Sequence, residues 1–370
     1  MKKGCYFIGA PGGAGAVTGH FKALGEELAR RGNVVKMLFP RGAGAASGSD
    51  GGNPEFLSWP SPRPTRLADA VFLAKLVRRH RPDCLIASFA AVNWMCVVGW
   101  LAKVPFRIAW YHTMSEASTF LNNSSFVLRL QRLRKRWVYH CSSVIVPVSE
   151  AAQADVCRCY HVNPKKCRVA LNSMSDPLKG GPILDASERE DFIICAAHLG
   201  FGKGQDVLIR ALPALKRTLK TVRVRFLGGG ERLPELKRLA TDLGVEGCCD
   251  FQGHVSRQQV LHDISRACLS VLPTRAEAAS YVLIESLAFG TPIVASKVGG
   301  IPEIIRDGVD GYLVPPDDAE TLAGILVKLL GNPALRERLG QSGRQRFLEC
   351  YELSKVVIGQ TDWLESLSIN

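Results

Sequence analysis

Phe192-Ile193-Ile194-Cys195-Ala196-Ala197 is a six-residue run without a charge, and the pattern that starts here decides the fold. So short an apolar run reads as a buried strand. Helix Gln205–Thr218, strand Val222–Leu227 and helix Arg232–Gly244 follow it, and strands Cys268–Leu272, Pro292–Ala295 and Gly311–Val314 continue the series. Working back toward the start, the same alternation occurs once more. Tyr6–Ile8 leads through a glycine-rich turn into helix His20–Arg31, with Gly32 as its stop. Strands Val34–Phe39, Leu85–Ala87, Arg107–Trp110 and Val144–Val148 come after it. Strands alternating with helices predict an α/β chain with open parallel sheets covered on both faces. Two similar halves flank a linker at Asp176–Glu190, rich in Pro, Gly, Asp and Lys. A second low-complexity segment, Gly42–Asn53, reads as a loop near the mouth of the first half.

A length of 370 residues, 46% of them hydrophobic, suits two domains with ample cores and excludes wholesale disorder. The twelve cysteines are scattered without C-x-x-C or zinc spacing, so they read as reduced thiols in a cytosolic protein, not as a disulfide framework. Glycine and proline break the first apolar run before it reaches signal-peptide length. The 19 uncharged residues between Asp83 and Lys103 equal a membrane span in length, but Ser88 and Asn93 interrupt them. A strand, a loop and an apolar helix around Trp94–Leu101 is the better reading.

The net charge of +13 is uneven. Residues 1–180 hold 25 Lys+Arg against 10 Asp+Glu, and residues 181–370 hold 22 against 24. Such asymmetry points to an anionic partner for the first half. The densest cluster lies in Ser124–His140, where Phe126, Leu130, Leu133 and Trp137 form one apolar helical stripe. Arg129, Arg132, Lys135 and Arg136 surround it, the pattern of a basic amphipathic helix. Two readings stay open: a stripe packed on its own domain, or a surface for an anionic membrane or acceptor. No zinc-finger, RNA-recognition or helix-turn-helix signature accompanies the charge, so no nucleic-acid partner is expected.

Chemistry can be sought in two places. The loop Gly9–Gly15 follows a strand and opens a helix, so the backbone at Gly12 and Gly13 could approach a phosphate. The spacing is not G-x-G-x-x-G and no acid ends the next strand, so a NAD-type ribose site is not expected. In the second half, Glu285 is the single charge between Ala278 and Ser296, and burying it requires a partner. Glu277 stands eight residues earlier, before Ala278-Ala279-Ser280 and their helix N-terminus. The residues alone leave open an exposed loop acid and an internal salt bridge.

Glu277-x7-Glu285 and the following Ser286–Ser296 resemble the signature of family 4 retaining glycosyltransferases. Gly299–Ile305, Asp307–Val314, Phe226–Gly230 and Phe251–Val255 extend the resemblance, and the glycine-rich loop and Trp110-Tyr111-His112 add to it in the first half. The resemblance implies the GT-B architecture: two Rossmann-like domains facing a deep cleft, here 1–180 and 190–350, with 351–370 crossing back to the first. The implied donor is a nucleoside diphosphate sugar, most often of uridine. Glu285 would bind its ribose, Glu277 and the Ala278–Ser280 amides its sugar, and Lys203 its diphosphate. His198 stands where the family usually has an arginine, His112 would sit near the reacting sugar, and Gly12 and Gly13 would cover the phosphates. The chain has no Asp-x-Asp, so no metal or other cofactor is expected. The implied acceptor is a glycan or lipid-linked molecule at the cytoplasmic face of a membrane. The alternatives are an epimerase or phosphorylase on the same fold, or a non-catalytic nucleotide-binding protein.

Overall fold

A computed structural model describes residues 3–13, 15–42, 52–115, 125–219 and 221–367. Most of the Gly42–Asn53 segment, Ala14 and Ser124 therefore lie outside the described residues. Strands Cys5–Gly9 (β1), Val34–Phe39 (β2), Glu55–Ser58 (β3), Cys84–Ala87 (β4), Phe106–Tyr111 (β5) and Val144–Pro147 (β6) make one sheet, in the order β3-β2-β1-β4-β5-β6. Strands Glu190–Ala196 (β7), Val224–Leu227 (β8), Cys249–Gly253 (β9), Ala267–Leu272 (β10), Ile293–Ser296 (β11) and Gly311–Val314 (β12) make the other, in the order β12-β11-β10-β7-β8-β9. Every pairing is parallel. Counted from its own first strand, each sheet runs 3-2-1-4-5-6, the doubly wound Rossmann order. Edge strands β3 and β9 are the two that sequence reading misses. Polar residues interrupt both and neither has a buried residue, so no apolar run announces them.

The helices are Ala16–Arg30 (α1), Leu67–His80 (α2), Ala91–Leu101 (α3), Ser125–Cys141 (α4), Glu150–Tyr160 (α5), Gln205–Thr218 (α6), Leu233–Asp242 (α7), Arg257–Arg266 (α8), Tyr281–Ala288 (α9), Ile301–Ile304 (α10), Ala319–Leu330 (α11), Pro333–Cys350 (α12) and Leu353–Leu367 (α13). Leu208, Leu212 and Leu215 of α6 recur at helical spacing and are fully buried against the second sheet with Ile193 and Val224. At about 1.5–3 kcal/mol for each buried aliphatic side chain, such faces hold the layers together. The uncharged stretch after Asp83 forms β4 and the 11-residue α3. Among the described residues, no helix is long and apolar enough to cross a membrane.

The chain divides into two units, Met1–Ser175 with Glu352–Asn370, and Asp176–Tyr351. Asp176–Glu190 is thus part of the second unit instead of a free linker. Arg344 binds both oxygens of Asp176, at 2.7 and 2.8 Å, and Leu178 packs on the Phe192/Ile194 cluster. In the first unit α13 lies along α1. Arg31 reaches Asp362 at 2.6 Å and Glu365 at 2.9 Å, and the Arg168 guanidinium sits 4.9 Å above the Trp363 ring.

Candidate functional site

In each sheet the strand order reverses between two central neighbours, β1 and β4 in the first and β7 and β10 in the second. Loops leaving the carboxyl ends of such strands part in opposite directions and open a ligand crevice. In the second unit the loop after β7 carries His198 and Lys203, and the loop after β10 carries Glu277. Lys203 Nζ lies 2.7 Å from Glu277 Oε2, so the two candidates meet although they are 74 residues apart. Their loops are tied together by backbone contacts. Arg275 N–H donates to the Gly202 carbonyl at 2.8 Å, and Thr274 Oγ1 donates to the same oxygen at 2.7 Å.

Two glycines make this approach possible. Gly204 has φ 67°, and a Cβ there would lie 1.9 Å from the Pro273 carbonyl oxygen. Gly299 has φ 50°, and its Cβ would lie 1.9 Å from the Glu277 carbonyl oxygen, to which Gly300 N–H donates at 3.0 Å. Both positions combine a left-handed backbone with the close approach of another chain segment, conditions that only glycine meets.

Arg275 is a residue that sequence reading did not single out. It binds both oxygens of Asp206, at 3.0 and 2.7 Å, and its guanidinium lies 4.2 Å from the Phe201 ring centre. Arg232 lies over the same ring at 5.2 Å and also reaches Asp206. Burial alone would raise the Asp206 carboxyl, but Arg275 and Arg232 outweigh it and hold the group below its ordinary value. These contacts fix the short turn Phe201–Lys203 that presents the lysine. The only advance signal was Arg275 itself, two residues before Glu277.

Glu285, on α9, is 2% exposed and faces Arg257 Nη1 at 2.7 Å. Burial raises its carboxyl above the ordinary value, and Arg257 offsets part of that rise. The internal salt bridge is therefore present, with a partner on α8 that the sequence did not reveal. His198 is exposed and lies 3.1 Å from Glu231, another acid not anticipated. Ala278 and Ser280 are buried, so the segment after Glu277 is not an exposed loop, and Ser280 opens α9 as its N-cap.

The first unit is arranged differently. Gly12 and Gly13 follow β1; Gly13 has φ 85° and open space around it, and Thr18 Oγ1 donates to the Gly12 carbonyl at 3.2 Å. His112, at the end of β5, stacks on Phe89 with ring centres 4.7 Å apart and planes 3° apart. Neither of its ring nitrogens has a hydrogen-bond partner among the described residues. Burial first, and then the nearby His20, push its pKa down to about 3, so the ring is neutral. His20 itself is lowered to about 4 by burial, and its Nδ1 lies 2.7 Å from Ser173 Oγ.

The basic helix α4 exposes Phe126, Leu130, Leu133 and Trp137 by 51–68%, so the stripe does not pack on its own unit. Lys135 departs from the expected surface. It is partly buried 5.6 Å from the Tyr160 ring centre, and burial with the neighbouring Arg134 lowers its pKa.

The chain is similar to known proteins in sequence and in fold. Residues 182–346 match the family model described as glycosyl transferases group 1, and residues 14–174 match glycosyltransferase family 4. A GDP-mannose-dependent alpha-(1-6)-phosphatidylinositol monomannoside mannosyltransferase of Mycolicibacterium smegmatis is 32% identical over 43% of this chain and 44% of its own. A D-inositol 3-phosphate glycosyltransferase of Thermobifida fusca is 35% identical over 38% of this chain and 35% of its own. The chain thus matches less than half the length of these relatives. In structure it is similar to a sucrose-phosphate synthase of Thermosynechococcus elongatus, with TM-score 0.76, 19% identity and all of both chains covered. It is also similar to the Anabaena protein HepE solved with UDP and glucose, with TM-score 0.75, 17% identity, and 99% and 100% of the two chains covered.

Proposed function

Because the chain belongs to the group 1 glycosyltransferases, with paired Rossmann-like units of the GT-B type, we propose that it moves a glycosyl group from a nucleoside diphosphate sugar to an acceptor hydroxyl with retention of configuration. The carrying observation is the Lys203–Glu277 pair at the β7/β10 crossing point. A departing nucleoside diphosphate accumulates negative charge, and a lysine ammonium delivered on a fixed turn lowers the barrier to its departure. When the diphosphate arrives, Lys203 turns from Glu277 to the phosphate oxygens, and the freed Glu277 carboxylate accepts hydrogen bonds from sugar hydroxyls. Glu285, kept in place by Arg257, takes the ribose hydroxyls, and Ala278–Ser280 line the sugar. His198, Gly12 and Gly13 serve the phosphates. The neutral His112 offers its ring nitrogens to a substrate hydroxyl.

In the transfer, the bond between the anomeric carbon and the diphosphate oxygen breaks, and a bond to the acceptor oxygen forms on the same face. The acceptor proton passes to the departing phosphate oxygen. Lysine and backbone dipoles supply the positive charge, so the activity needs no metal and survives chelation. Uridine is the expected base, in keeping with HepE, which was solved with UDP.

The test is thermal unfolding of the purified protein with UDP, GDP and ADP. A ligand at 100 times its dissociation constant adds about 2.7 kcal/mol of apparent stability. One diphosphate stabilises the native protein and fails to stabilise Lys203→Ala; no shift with any of them overturns the reading. An inverted product anomer in proton NMR overturns retention.

The same reading places the protein at the cytoplasmic face of an anionic membrane, held by the outward face of α4. Arg129, Arg132 and Arg136 flank its exposed stripe, and each basic residue near an anionic bilayer contributes about 1 kcal/mol. The protein then sediments with phosphatidylglycerol vesicles at low salt but not with phosphatidylcholine, and Leu133→Glu reduces the bound fraction. Equal binding to both lipids defeats this placement.

A further inference from the structure

Within the first unit, a cavity of about 620 Å³ opens beside His112. Arg63, Arg134 and Lys135 line it together with Thr65, Asn93 and Phe89. Among the described residues its lining has three cations and no acid. None of the three is in an ion pair with a carboxylate among the described residues, although most arginines of the second unit that flank a site, such as Arg257, Arg275 and Arg232, have such partners. Like charges gathered around one cavity repel each other, and their cost is offset when an anion occupies it. Lys135 is already partly desolvated there beside Arg134.

The floor of the cavity is unusual too. Phe89 has φ 49°, a left-handed conformation rare for an aromatic residue, and it holds the His112 ring in parallel stacking while remaining 48% exposed. The exposed Phe89 ring offers a flat apolar surface next to the cations, and the His112 nitrogens beneath it have no partner among the described residues. A molecule with a ring or chain that lies on Phe89 and a charged group that reaches the cations fits these features together.

We propose that this cavity is the acceptor site and that it selects an acceptor bearing a phosphate, with the phosphate held by Arg63, Arg134 and Lys135. This rests on the glycosyltransferase reading and names the substrate class for it. Arginine forks bind phosphate oxygens in pairs, and a partly buried lysine adds a third charge-assisted bond. A neutral glycan would leave all three cations unanswered. The phosphate can arrive on a soluble sugar or polyol phosphate or as a lipid headgroup, and both present the same oxygens to the cavity.

The experiment titrates glycerol 1-phosphate, and separately dihexanoyl phosphatidic acid below its micelle concentration, into the full chain, with the native and double-variant proteins saturated with the stabilising nucleoside diphosphate and Lys203→Ala without it. Native protein, Lys203→Ala and the double variant Arg63→Ala/Arg134→Ala are compared by calorimetry, and the native and double-variant proteins also by titration of the nucleotide alone. Arg63 and Arg134 are exposed, and neither is in an ion pair among the described residues, so the double variant is expected to keep its fold. The expected result is phosphate binding by the native protein and by Lys203→Ala, weakened at least tenfold in the double variant, while nucleotide affinity of the double variant stays unchanged. Preference for glycerol 1-phosphate identifies a soluble acceptor, and preference for the short-chain lipid identifies a headgroup. Equal phosphate affinity in native protein and double variant, or no phosphate binding at all, overturns the proposal. Loss of nucleotide binding by the native protein would instead strike the transferase reading, and the phosphate titration would still report on the cavity.

Discussion

The two units share a strand order and differ in what they place where that order reverses. In the second, the loops after β7 and β10 are bound to each other by Lys203–Glu277, by the Arg275 side chain, and by the Arg275 N–H and the Thr274 hydroxyl, both donating to the Gly202 carbonyl. In the first, the loop after β1 is glycine-rich with open space around Gly13, and the buried His20 of α1 and His112 after β5 are neutral. At its crossing point one unit presents a fixed charge on a stapled loop; the other presents an open backbone and uncharged rings. A shared topology thus supplies the crevice, and the loops decide its chemistry.

The sharpest way to break this contrast is to unstaple the second unit. Gly299→Ala forces a Cβ to within 1.9 Å of the Glu277 carbonyl unless the backbone moves, at a position whose φ of 50° already disfavours alanine. The expected cost is about 3 kcal/mol, with hydrogen-exchange protection lost mainly in Asp176–Tyr351. Gly13→Ala meets no neighbour and carries only the penalty of its positive φ, about 1 kcal/mol. Equal destabilisation by the two substitutions would erase the distinction between a stapled and an open loop.

Acid separates the units next. His20 and His112 have folded pKa values of about 4 and about 3, below the ordinary 6.5, so the unfolded chain binds more protons as pH falls below 6.5. Their contribution therefore stands above that value and declines as pH drops toward 3. Between pH 7 and 5 the two histidines together should cost the first unit about 4 kcal/mol. Glu285 acts in the opposite sense, because its raised folded pKa makes it lose stability as pH rises. Exchange protection measured by unit at pH 7 and pH 5 checks this, and a second unit that weakened as much as the first would refute it.

These differences also explain what could be read in advance. Inner strands such as Cys84–Ala87 and Ile293–Ser296 announce themselves because parallel strands buried on both faces are short runs without a charge. Glu285 stood out because its surroundings are apolar and Glu277 because it precedes small residues at a helix N-terminus, whereas Lys203 was reached only through the family resemblance. Their partners did not stand out. Arg257, Glu231 and Arg275 are charged residues in ordinary polar sequence, and only the fold brings Arg257 to Glu285 or Asp206 to Arg275. The cations of the first-unit cavity were hidden for the same reason. Arg63 lies far from α4 in sequence, and within α4 the residues Arg134 and Lys135 belonged to a cluster whose neighbours face elsewhere.

The smallest test concerns the boundary. Asp176–Glu190 has a linker's composition, yet Asp176 accepts two hydrogen bonds from Arg344, and the N–H groups of Leu178 and Gly180 also donate to it. Arg344, foremost, together with these N–H groups, holds the Asp176 carboxyl down to about 2, below its ordinary 3.8. Its contribution is complete above 3.8 and is lost as pH falls through about 2, below most of the window in which the histidines act. Asp176→Asn keeps the shape and removes the charge, so at pH 7 it should cost about 1–2 kcal/mol. Arg344 keeps its bond to the Ala288 carbonyl at 2.9 Å, which limits the damage. The cost should appear in the second unit alone and shrink as the native protein is taken toward pH 2. If Asp176→Asn instead left both units unchanged, the segment would be a tether, and the second unit would begin near Glu190, where its first strand starts.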